Sequence, residues 1–418
     1  MKIRFEDRLI IVLISLLICT NSFGKETSII TIHVEKAGSL SSYIADSKKY
    51  QISSLKLIGD LNGTDIRYIR EMSNKNLGSL IYLDLSEANI VKGGISYNEN
   101  MYTSDHKIGR YMFQKTRLQT IQLPQNITVI EYYAFGDCSD LVSISIPESV
   151  IEIGAAAFSW CTFTSIHIPK KVSTISNNAF SGCENLEIIH VDNGNPFFSD
   201  IDGILYNKDQ TEVLICPKGK KGKISIPNSV TTIGDRAFDQ CDKLTNIILP
   251  NNLKNIKEGA FYACIGLTSM SIPSNVETIE NYAFGYCYNL ESVYCFWKNP
   301  IKINNTCFDH SSKQILYVPN GCYDVYWLAK GWGEFKTIIE INYEPTANET
   351  ILLKNELSIK NITNGILIDT NKMVNVYIYN INGKLLYNKK VVGNRQITLP
   401  NGIYIVSADN KTHKIVIK

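Results

Sequence analysis

The sequence predicts a repeat solenoid, a stack of similar coils made of short parallel strands and turns or short helices, followed by a small all-β sandwich. The main observation is a block in which phenylalanine follows proline by eleven residues and cysteine follows phenylalanine by three. The block occurs six times, and neither interval changes. Because a fixed interval places each side chain over its counterpart in the neighbouring copy, the copies are expected to stack. The second observation is a set of short runs of strand formers near the C terminus.

Residues 1–24 are predicted to be a secretory signal peptide. Positively charged residues precede the apolar run Leu9–Ile18, and small residues stand at Ser22 and Gly24, the two positions that a signal peptidase inspects. Lipid attachment at Cys19 is the alternative, although the residue before it is larger than lipoprotein signals place there. The apolar run is about half of the roughly 20 residues that span a bilayer, so no transmembrane segment is expected in the mature chain.

Length and charge limit the possible classes of the protein. The full chain has 418 residues, which exceeds one ordinary compact core and favours about two to three units. The formal net charge is +2, and 20% of the residues are charged. Such a balance argues against a nucleic-acid partner.

One copy of the block, Leu141 to Cys161, indicates how a coil is built. Ile144 and Ile146 alternate with polar residues, and this pattern predicts a short strand. Pro147 has no amide hydrogen to donate, so it ends the strand. The apolar residues that follow predict a tight turn or a short helical segment with one buried face. The coil is therefore expected to have a sheet side and a turn side.

The recurring phenylalanines and cysteines are expected to form two columns inside the stack. Their positions are Phe135, Phe158, Phe180, Phe238, Phe261 and Phe284, with Cys138, Cys161, Cys183, Cys241, Cys264 and Cys287. Parallel side chains in one column suit a disulfide poorly, so these cysteines are interpreted as small buried hydrophobic residues. Pairing stays open for four further cysteines, Cys216, Cys295, Cys307 and Cys322.

The other segments are predicted to cap, interrupt or extend the solenoid of residues 108–341. Residues 25–107 have a looser leucine pattern and are interpreted as an N-terminal cap with degenerate repeats. An insertion at about residues 190–222 is predicted to form a hairpin that projects from the stack. A polar linker at residues 342–349 precedes the predicted sandwich of residues 350–418. The last coil is expected to be covered by the aromatic side chains of Tyr323, Tyr326, Trp327, Trp332 and Phe335.

The repeat pattern is Leu-x-x-Ile-x-Ile-Pro-x-x-Val-x-x-Ile-Gly-x-x-Ala-Phe-x-x-Cys from Leu141 to Cys161, and it returns from Leu267 to Cys287 with modest changes. It resembles the BspA-type leucine-rich repeat over roughly residues 108–341. The resemblance implies a secreted or cell-surface protein, mostly of bacteria, with a role in adhesion. It also implies a partner class, a host or bacterial extracellular protein or glycan.

The chain from about residue 350 onwards resembles the C-terminal sorting domain of proteins exported by the type IX secretion system of Gram-negative bacteria. The residues that carry this resemblance include Tyr379, Asn380, Gly383, Leu399, Gly402 and Tyr404. The resemblance implies that residues 350–418 engage the secretion machinery and carry the protein across the outer membrane. Such domains are commonly removed afterwards.

Motifs for catalysis or metal binding are not found in the sequence. The six histidines form no His-Glu-x-x-His pair, and no Gly-x-Ser-x-Gly elbow or phosphate-binding glycine loop is present. We therefore expect no catalytic residue, no metal and no cofactor. Asp200-Ile201-Asp202-Gly203 is interpreted as a turn. A lysine cluster is interpreted as a solvated loop, with a polyanion site as the alternative; it comprises Lys218, Lys220, Lys221 and Lys223.

Candidate ligand-binding residues are aromatic side chains beside the interior columns. They are Trp160, Tyr262, Tyr286 and Tyr288. Tyrosine and tryptophan are enriched at binding hot spots, although these residues can instead pack across a coil junction. The sequence thus predicts an exported, non-enzymatic cell-surface binding protein, an adhesin. Two alternatives stay open, an accessory protein that holds substrate for a separate enzyme and a structural surface-layer component.

Overall fold

The computed structural model describes residues 29–308, 314–341, 358–362, 365–408 and 411–417. The predicted signal peptide and linker lie outside these residues. Contacts divide the chain into two compact units, Met1–Thr162 and Phe163–Lys418. In the described part of the chain, no helix has both the length and the apolar composition needed to span a membrane.

Among its described residues, 29–162, the first unit has short strands, one α-helix and one turn of 3-10 helix. Its strands are β1 (Ile30–Val34), β2 (Ser54–Leu61), β3 (Tyr82–Ile90), β4 (Gly93–Asn98), β5 (Met101–Thr103), β6 (Lys107–Ile108), β7 (Thr120–Gln122), β8 (Val129–Ile130), β9 (Ser143–Ser145) and β10 (Glu152–Ile153). Its helices are the 3-10 turn Leu40–Ser42 and α1 (Gly63–Met72). A parallel sheet has the order β1-β2-β3-β7-β9, β8 pairs in parallel with β6 and β10, and β4 and β5 form an antiparallel hairpin. The segment predicted as a cap thus shares its main sheet with the first repeats.

The described residues of the second unit form the remaining strands and one short helix. Its strands are β11 (Ser165–Ile168), β12 (Thr174–Ile175), β13 (Ile188–Val191), β14 (Phe198–Ile201), β15 (Ile204–Asn207), β16 (Glu212–Ile215), β17 (Gly222–Ser225), β18 (Thr232–Ile233), β19 (Leu244–Ile248), β20 (Asn255–Ile256), β21 (Ser269–Ile272), β22 (Thr278–Ile279), β23 (Ser292–Cys295), β24 (Ile315–Pro319), β25 (Thr337–Ile341), β26 (Ser358–Ile362), β27 (Gly365–Asn380), β28 (Leu385–Thr398), β29 (Gly402–Ala408) and β30 (Lys411–Ile417). The helix is α2 (Tyr323–Trp327).

Parallel pairing between successive coils dominates the second unit up to β25. Strand β11 pairs with β13, β17 pairs with β19, and β21-β23-β24-β25 form a four-stranded sheet. A further sheet has the order β14-β15-β16-β18-β20-β22. Coils of short parallel strands and turns, followed by an all-β region, confirm the predicted fold class.

The recurring phenylalanines form stacked columns inside each unit. In the first unit, ring centroids are 5.4 Å apart from Phe113 to Phe135 and from Phe135 to Phe158. In the second unit, neighbouring centroids are 4.9 to 5.1 Å apart along Phe238, Phe261, Phe284 and Phe308. All of these rings, and that of Phe180, are buried. Stacked rings bury a large apolar area in every coil, so each coil depends on its neighbours for its core.

The turn side of the solenoid has its own ladder of backbone hydrogen bonds. The amide of Phe261 donates to the Ala283 carbonyl of the next coil (2.8 Å), and the amide of Ala263 donates to the Gly285 carbonyl (2.8 Å). Alternate residues of the turn thus donate in the same direction along the stack. This direction leaves unpaired carbonyls at the N-terminal end of the ladder unless other groups donate to them.

Most turns contain two residues with left-handed backbone, one located two positions before phenylalanine and one immediately before the cysteine, or before Thr116 in the degenerate coil. Their φ angles lie between 52° and 72°, and the residues are Tyr111, Tyr133, Ala156, Arg236, Gly259 and Tyr282 at the first position, and Lys115, Asp137, Trp160, Gly182, Gln240, Ala263 and Tyr286 at the second. Most of them are not glycine, so the turn ladder maintains a conformation that L-amino acids disfavour.

The N-terminal cap supplies the donors that the first turn requires. The guanidinium of Arg70, on α1, donates through Nη1 to the carbonyl oxygens of Tyr111 (2.7 Å) and Met112 (2.9 Å). The hydroxyl of Tyr97 donates to the carbonyl of Arg110 (2.9 Å). Burial lowers the pKa of Arg70. The cap therefore donates hydrogen bonds to the carbonyls of the first turn in addition to covering the apolar end of the solenoid core.

Helix α1 is held at its start by a capping box. The side-chain oxygen of Asn62 accepts from the Thr64 amide (2.9 Å), and the Asp65 carboxylate accepts from the Asn62 amide (2.9 Å). The same carboxylate also accepts from the amides of Gly38 (2.6 Å) and Leu40 (2.9 Å). These bonds fix the helix that carries Arg70.

The insertion differs from the predicted projecting hairpin. Strands β15 and β16 are antiparallel, but β16 continues in parallel pairing with β18 of the next coil. Leu205 and Tyr206 are buried, and the turn at Asp202 and Gly203 joins β14 to β15. Buried Asn195 donates to two backbone carbonyls of the preceding coil. The insertion therefore widens one sheet of the solenoid, because its apolar side chains need the shared core.

The aromatic segment at the C-terminal end of the solenoid is only partly a cover. Trp332, Tyr326 and Phe335 are buried, and the Phe335 ring lies 5.2 Å from that of Phe308. Tyr323 and Trp327 are exposed, which contradicts the prediction for these two residues. They lie four residues apart on α2 and face solvent together, with ring centroids 6.2 Å apart.

The C-terminal region is all-β, as predicted, and its described strands form one hydrogen-bonded sheet. The long strand β27 pairs with β28 along most of its length, with β26 along its first part and with β29 along its last part. Strand β30 pairs with β29. The sheet has a separate hydrophobic core, which includes Ile366, Val376, Ile378 and Val406.

Candidate functional site

The cysteine column lies inside the stack and offers no reactive surface. Every described cysteine is free and buried. The thiol of Cys264 donates to the Phe238 carbonyl of the preceding coil (2.9 Å), and Cys287 donates to Phe261 (3.0 Å). Burial raises the pKa of Cys264 well above its ordinary value. A buried, protonated thiol is a poor nucleophile and a poor metal ligand, so this column has a structural role.

Three of the four candidate aromatic residues come together on the turn side of the second unit. The Tyr286 ring centroid is 4.9 Å from that of Tyr262 and 5.7 Å from that of Tyr288. Arg236 lies over the Tyr262 ring at 5.1 Å from its centroid. We call Arg236, Tyr262, Tyr286 and Tyr288 the second-unit tyrosine cluster. Trp160 is not part of it, because it belongs to the first unit.

The side chains of this cluster are accessible to a partner. Tyr286 is 44% exposed and Tyr288 is 64% exposed, while Tyr262 is half-buried beneath them. Burial raises the pKa of Tyr262, and the neighbouring Tyr286 raises it further. Tyr286 has left-handed backbone (φ 60°), and the preceding Gly285 accepts a bond of the turn ladder. The rings are therefore presented from a backbone with little freedom to move.

A second group of tyrosines, which the sequence analysis missed, lies on the turn side of the first unit. The Tyr111 ring centroid is 5.4 Å from that of Tyr132 and 5.7 Å from that of Tyr133. Arg110 lies over Tyr132 at 5.9 Å, as Arg236 lies over Tyr262 in the second unit. We call Arg110, Tyr111, Tyr132 and Tyr133 the first-unit tyrosine cluster. The recurrence of tyrosine two residues before phenylalanine was the available sequence signal.

Hydrogen bonding orders the first-unit tyrosine cluster. The Tyr133 hydroxyl donates to the Asp137 carboxylate (3.0 Å). Burial and this carboxylate raise the pKa of Tyr133 to about 12, so the hydroxyl keeps its proton at neutral pH. Trp160, also of the first unit, is 52% exposed and has left-handed backbone (φ 61°). Each unit thus exposes aromatic side chains on its turns.

The lysine cluster is largely neutralised by its neighbours. Lys218 lies 3.5 Å from the Asp239 carboxylate, and Lys221 lies 2.6 Å from the Glu187 carboxylate. Lys220 donates to a backbone carbonyl. Side chains engaged in this way favour a solvated loop over a polyanion site.

The residues that carry the sorting resemblance have structural positions in the C-terminal sheet. They are Tyr379 in β27, Asn380 and Gly383 around the β27–β28 turn, Leu399 before β29, and Gly402 and Tyr404 in β29. The Asn380 side chain accepts from the amide of Lys384 (2.9 Å), and Gly383 has φ 78°. Leu399 and Tyr404 are buried in the core of the sheet. Their pattern therefore encodes the turns and core of this sheet.

Comparison with protein families gives one match. The family model of the BspA type leucine rich repeat region matches residues 106–207 and 217–327, with 6 copies. These ranges make up just over half of the chain. None of the curated proteins compared with the chain matches it.

Solved structures of leucine-rich repeat proteins resemble the chain in fold. A protein from Eubacterium ventriosum has a TM-score of 0.50 at 20% identity, over 75% of this chain and 78% of that chain. The pneumococcal vaccine antigen PcpA has a TM-score of 0.47 at 18% identity, over 70% and 80% of the two chains. A leucine rich cell surface protein from Faecalibacterium prausnitzii has a TM-score of 0.44 at 22% identity, over 74% and 88%. At these identities, the Eubacterium ventriosum structure supports the fold alone.

Proposed function

The chain belongs to the BspA-type leucine-rich repeat family, and we propose that it is an exported, cell-surface binding protein of the adhesin class without catalytic activity. Its partner would be a host or bacterial extracellular protein or glycan. Affinity would come from many modest contacts along the turn side of the solenoid, as is usual for extended repeat surfaces. The protein would act at the exterior of the outer membrane or after release from the cell.

The observation that carries this proposal is that the turns of each unit hold a tyrosine cluster with exposed rings, Tyr132 in the first unit and Tyr286 and Tyr288 in the second. Tyrosine presents a large contact area with few rotatable bonds, and both tyrosine and arginine are common at hot spots. In the second-unit tyrosine cluster, Tyr286 and Tyr288 are exposed beside Tyr262 and Arg236. The backbone beneath them is fixed by the turn ladder. A ligand that docks there would therefore order few protein side chains.

The test is a binding screen followed by substitution. The purified chain without residues 1–24 would be screened against extracellular-matrix proteins and glycans. For a ligand that binds, Tyr286→Ala together with Tyr288→Ala should weaken binding at least about tenfold. Tyr102→Ala is the control, since Tyr102 is exposed on β5 outside both clusters. Equal affinities of the double variant and the control would contradict the assignment of this surface.

The same screen separates the alternatives. Binding confined to polymers that a separate enzyme degrades would favour the accessory role. Self-assembly with rising concentration and without any ligand would favour a surface-layer component. Trp160→Ala, in the first unit, reports independently whether that unit contributes to binding.

We also propose that residues 350–418 direct export through the type IX secretion system, after residues 1–24 have directed the chain across the inner membrane. The support is the resemblance of the sequence at the β27–β28 turn and at β29, together with the small all-β form of the described residues. A compact sheet with a core of its own can act as an address that the cargo does not need for folding.

A further inference from the structure

The outward face of the last solenoid strands differs from that of the earlier ones. In register across β23, β24 and β25 lie Tyr294, Tyr317 and Ile339. The two tyrosine rings are stacked at 4.4 Å, and all three side chains are buried, with Tyr317 only 2% exposed. Ile341 belongs to the same hydrophobic cluster. We call Tyr294, Tyr317, Ile339 and Ile341 the outer row.

The outer row lies outside the solenoid core. The neighbouring residues Val293, Leu316 and Ile338 pack with the interior cluster instead. Because side chains alternate along a strand, residues next to these must face the opposite side of the sheet. On β11, an earlier strand of the same unit, the corresponding outward residues Ser165 and His167 are exposed and polar. A row of buried aromatic and aliphatic side chains on this face therefore requires a cover.

The C-terminal sheet contacts the outer row at Ile339. Gly393, in β28, lies so close to β25 that a Cβ atom added to it would be 3.0 Å from Ile339 Cγ2 and 3.2 Å from the carbonyl oxygen of Glu340. Its backbone is left-handed, with φ 69°. Glycine at this position permits both the backbone conformation and the close approach of the two strands. Val391, two residues earlier, is buried in the separate core of the sheet.

We propose that the outer row is an interaction surface whose partner is the chain's own C-terminal sheet, docked through the β28 segment around Gly393. The sheet is then held on the solenoid by non-covalent contacts in addition to its covalent connection. Cleavage of that connection leaves the two parts associated, and a separate event that separates them exposes an aromatic surface on the solenoid. This inference does not depend on the proposed adhesion or sorting roles.

The first experiment cuts the connection in the otherwise complete chain. A protease recognition sequence is inserted between Ala347 and Asn348, and the cleaved protein is analysed by size-exclusion chromatography over a dilution series. The two fragments should elute together at micromolar concentration. Immediate elution as two separate species at every concentration would overturn the proposal.

The second experiment compares two glycines of the same sheet. Gly393→Ala should weaken the association of the cleaved fragments at least tenfold, because the methyl group meets Ile339. Gly383→Ala is the matched control, since Gly383 is also left-handed but has no atom within 4 Å of its added Cβ. Equal association for the two variants would place the interface elsewhere and reject the proposed one.

A pair of solenoid variants keeps the test decisive if Gly393→Ala disturbs the sheet itself. Ile339→Ala removes a side chain of the outer row, whereas Ile338→Ala shortens a side chain that packs towards the solenoid core. Only Ile339→Ala should increase the dissociation of the cleaved fragments. Thermal unfolding of both variants, measured by circular dichroism, identifies any general loss of structure. If Ile338→Ala separates the fragments as readily, docking through the outer row is wrong.

Discussion

Most cysteines of the column act as hydrogen-bond donors as well as small apolar side chains. Four thiols donate to the phenylalanine carbonyl of the preceding coil, with Sγ to O distances of 3.0 Å from Cys138 to Phe113 and 2.9 Å from Cys264 to Phe238. Cys241, which follows the insertion, donates to the Cys216 carbonyl instead (3.7 Å). In the degenerate coil, Thr116 uses its hydroxyl to donate to Phe113. Serine or alanine would therefore fit less well, since one is more polar than the site and the other cannot donate.

Buried thiols make the stability of the solenoid depend on pH. The unfolded thiol has a pKa of about 8.5, and burial raises the pKa of Cys264 and Cys295 well above this. Above about pH 8.5 the unfolded chain releases protons that the folded chain keeps, so the free energy of unfolding should fall as pH rises. The slope is about 1.4 kcal/mol per pH unit for each such thiol.

Urea unfolding between about pH 7.5 and about pH 9.5 tests this dependence. Stability should be complete below the unfolded pKa and decline above it. Cys264→Ala should show a shallower decline, although it starts from a lower stability. A free energy of unfolding that stays constant over this range would contradict the assignment of buried, protonated thiols.

The left-handed turn residues offer a second prediction for single residues. Ala263 has φ 54°, and left-handed backbone costs an L-residue roughly 1–2 kcal/mol. Glycine removes this cost, but its greater conformational entropy in the unfolded chain lowers the free energy of unfolding by roughly 0.4–1 kcal/mol. Ala263→Gly should therefore raise the free energy of unfolding by about 0.5 kcal/mol. Ala260→Gly, at a buried alanine outside the left-handed positions, should lower it by about 1 kcal/mol. Calorimetry distinguishes the two, and destabilisation by both would refute the idea of stored strain.

Among the structural elements, the phenylalanine column contributes a large buried side chain to each coil. Phe261 is fully buried between the rings of Phe238 and Phe284. Phe261→Ala should lower the free energy of unfolding by about 3–5 kcal/mol, because the stack cannot collapse around the cavity. Tyr288→Ala, at an exposed ring near the same coil, should change it by less than about 0.5 kcal/mol. Denaturant unfolding curves that coincide for the two variants would be incompatible with this column.

The N-terminal cap supplies hydrogen-bond donors to the first turn of the solenoid. Arg70 donates to the carbonyls of Tyr111 and Met112. The Tyr111 carbonyl also accepts from the Gln114 amide, whereas the Met112 carbonyl depends on Arg70. Arg70→Met keeps much of the side-chain volume but leaves the Met112 carbonyl unpaired, so it should cost about 1–3 kcal/mol. Arg67→Met on the same helix removes an exposed ion pair with Glu71 and should cost under about 1 kcal/mol. Thermal unfolding of the two variants measures this difference. A smaller decrease in the thermal midpoint for Arg70→Met than for Arg67→Met would exclude a capping role.

For the whole molecule, sorting can be separated from folding. If residues 350–418 are an address, a chain that lacks them should stay in the periplasm of a type IX-competent cell. The same residues fused to an unrelated periplasmic protein should carry that protein to the surface. Cell fractionation and protease treatment of intact cells measure both outcomes. A fusion that remains periplasmic would argue against the sorting role even if the truncated chain were merely unstable.

By itself, the sequence determined the architecture of this protein. An interval that repeats without change requires like residues to lie over one another, so stacking coils and their interior columns follow from spacing alone. Alternation before each proline likewise predicts the short strands, and the C-terminal runs of strand formers predict an all-β region. These inferences need only neighbours that are close in sequence or one repeat apart.

The tertiary structure decided which surface residues cluster and what each polar group contacts. The Arg70 cap joins side chains with no common interval. Residues of the tyrosine clusters and of the outer row lie about one repeat apart, but the residue types at these positions vary between copies. The insertion joined a sheet, contrary to the expected projection, because Leu205 and Tyr206 needed a core that only the adjacent coil supplies. Repetition specifies the interior through local spacing, whereas recognition surfaces arise where irregular side chains meet in three dimensions.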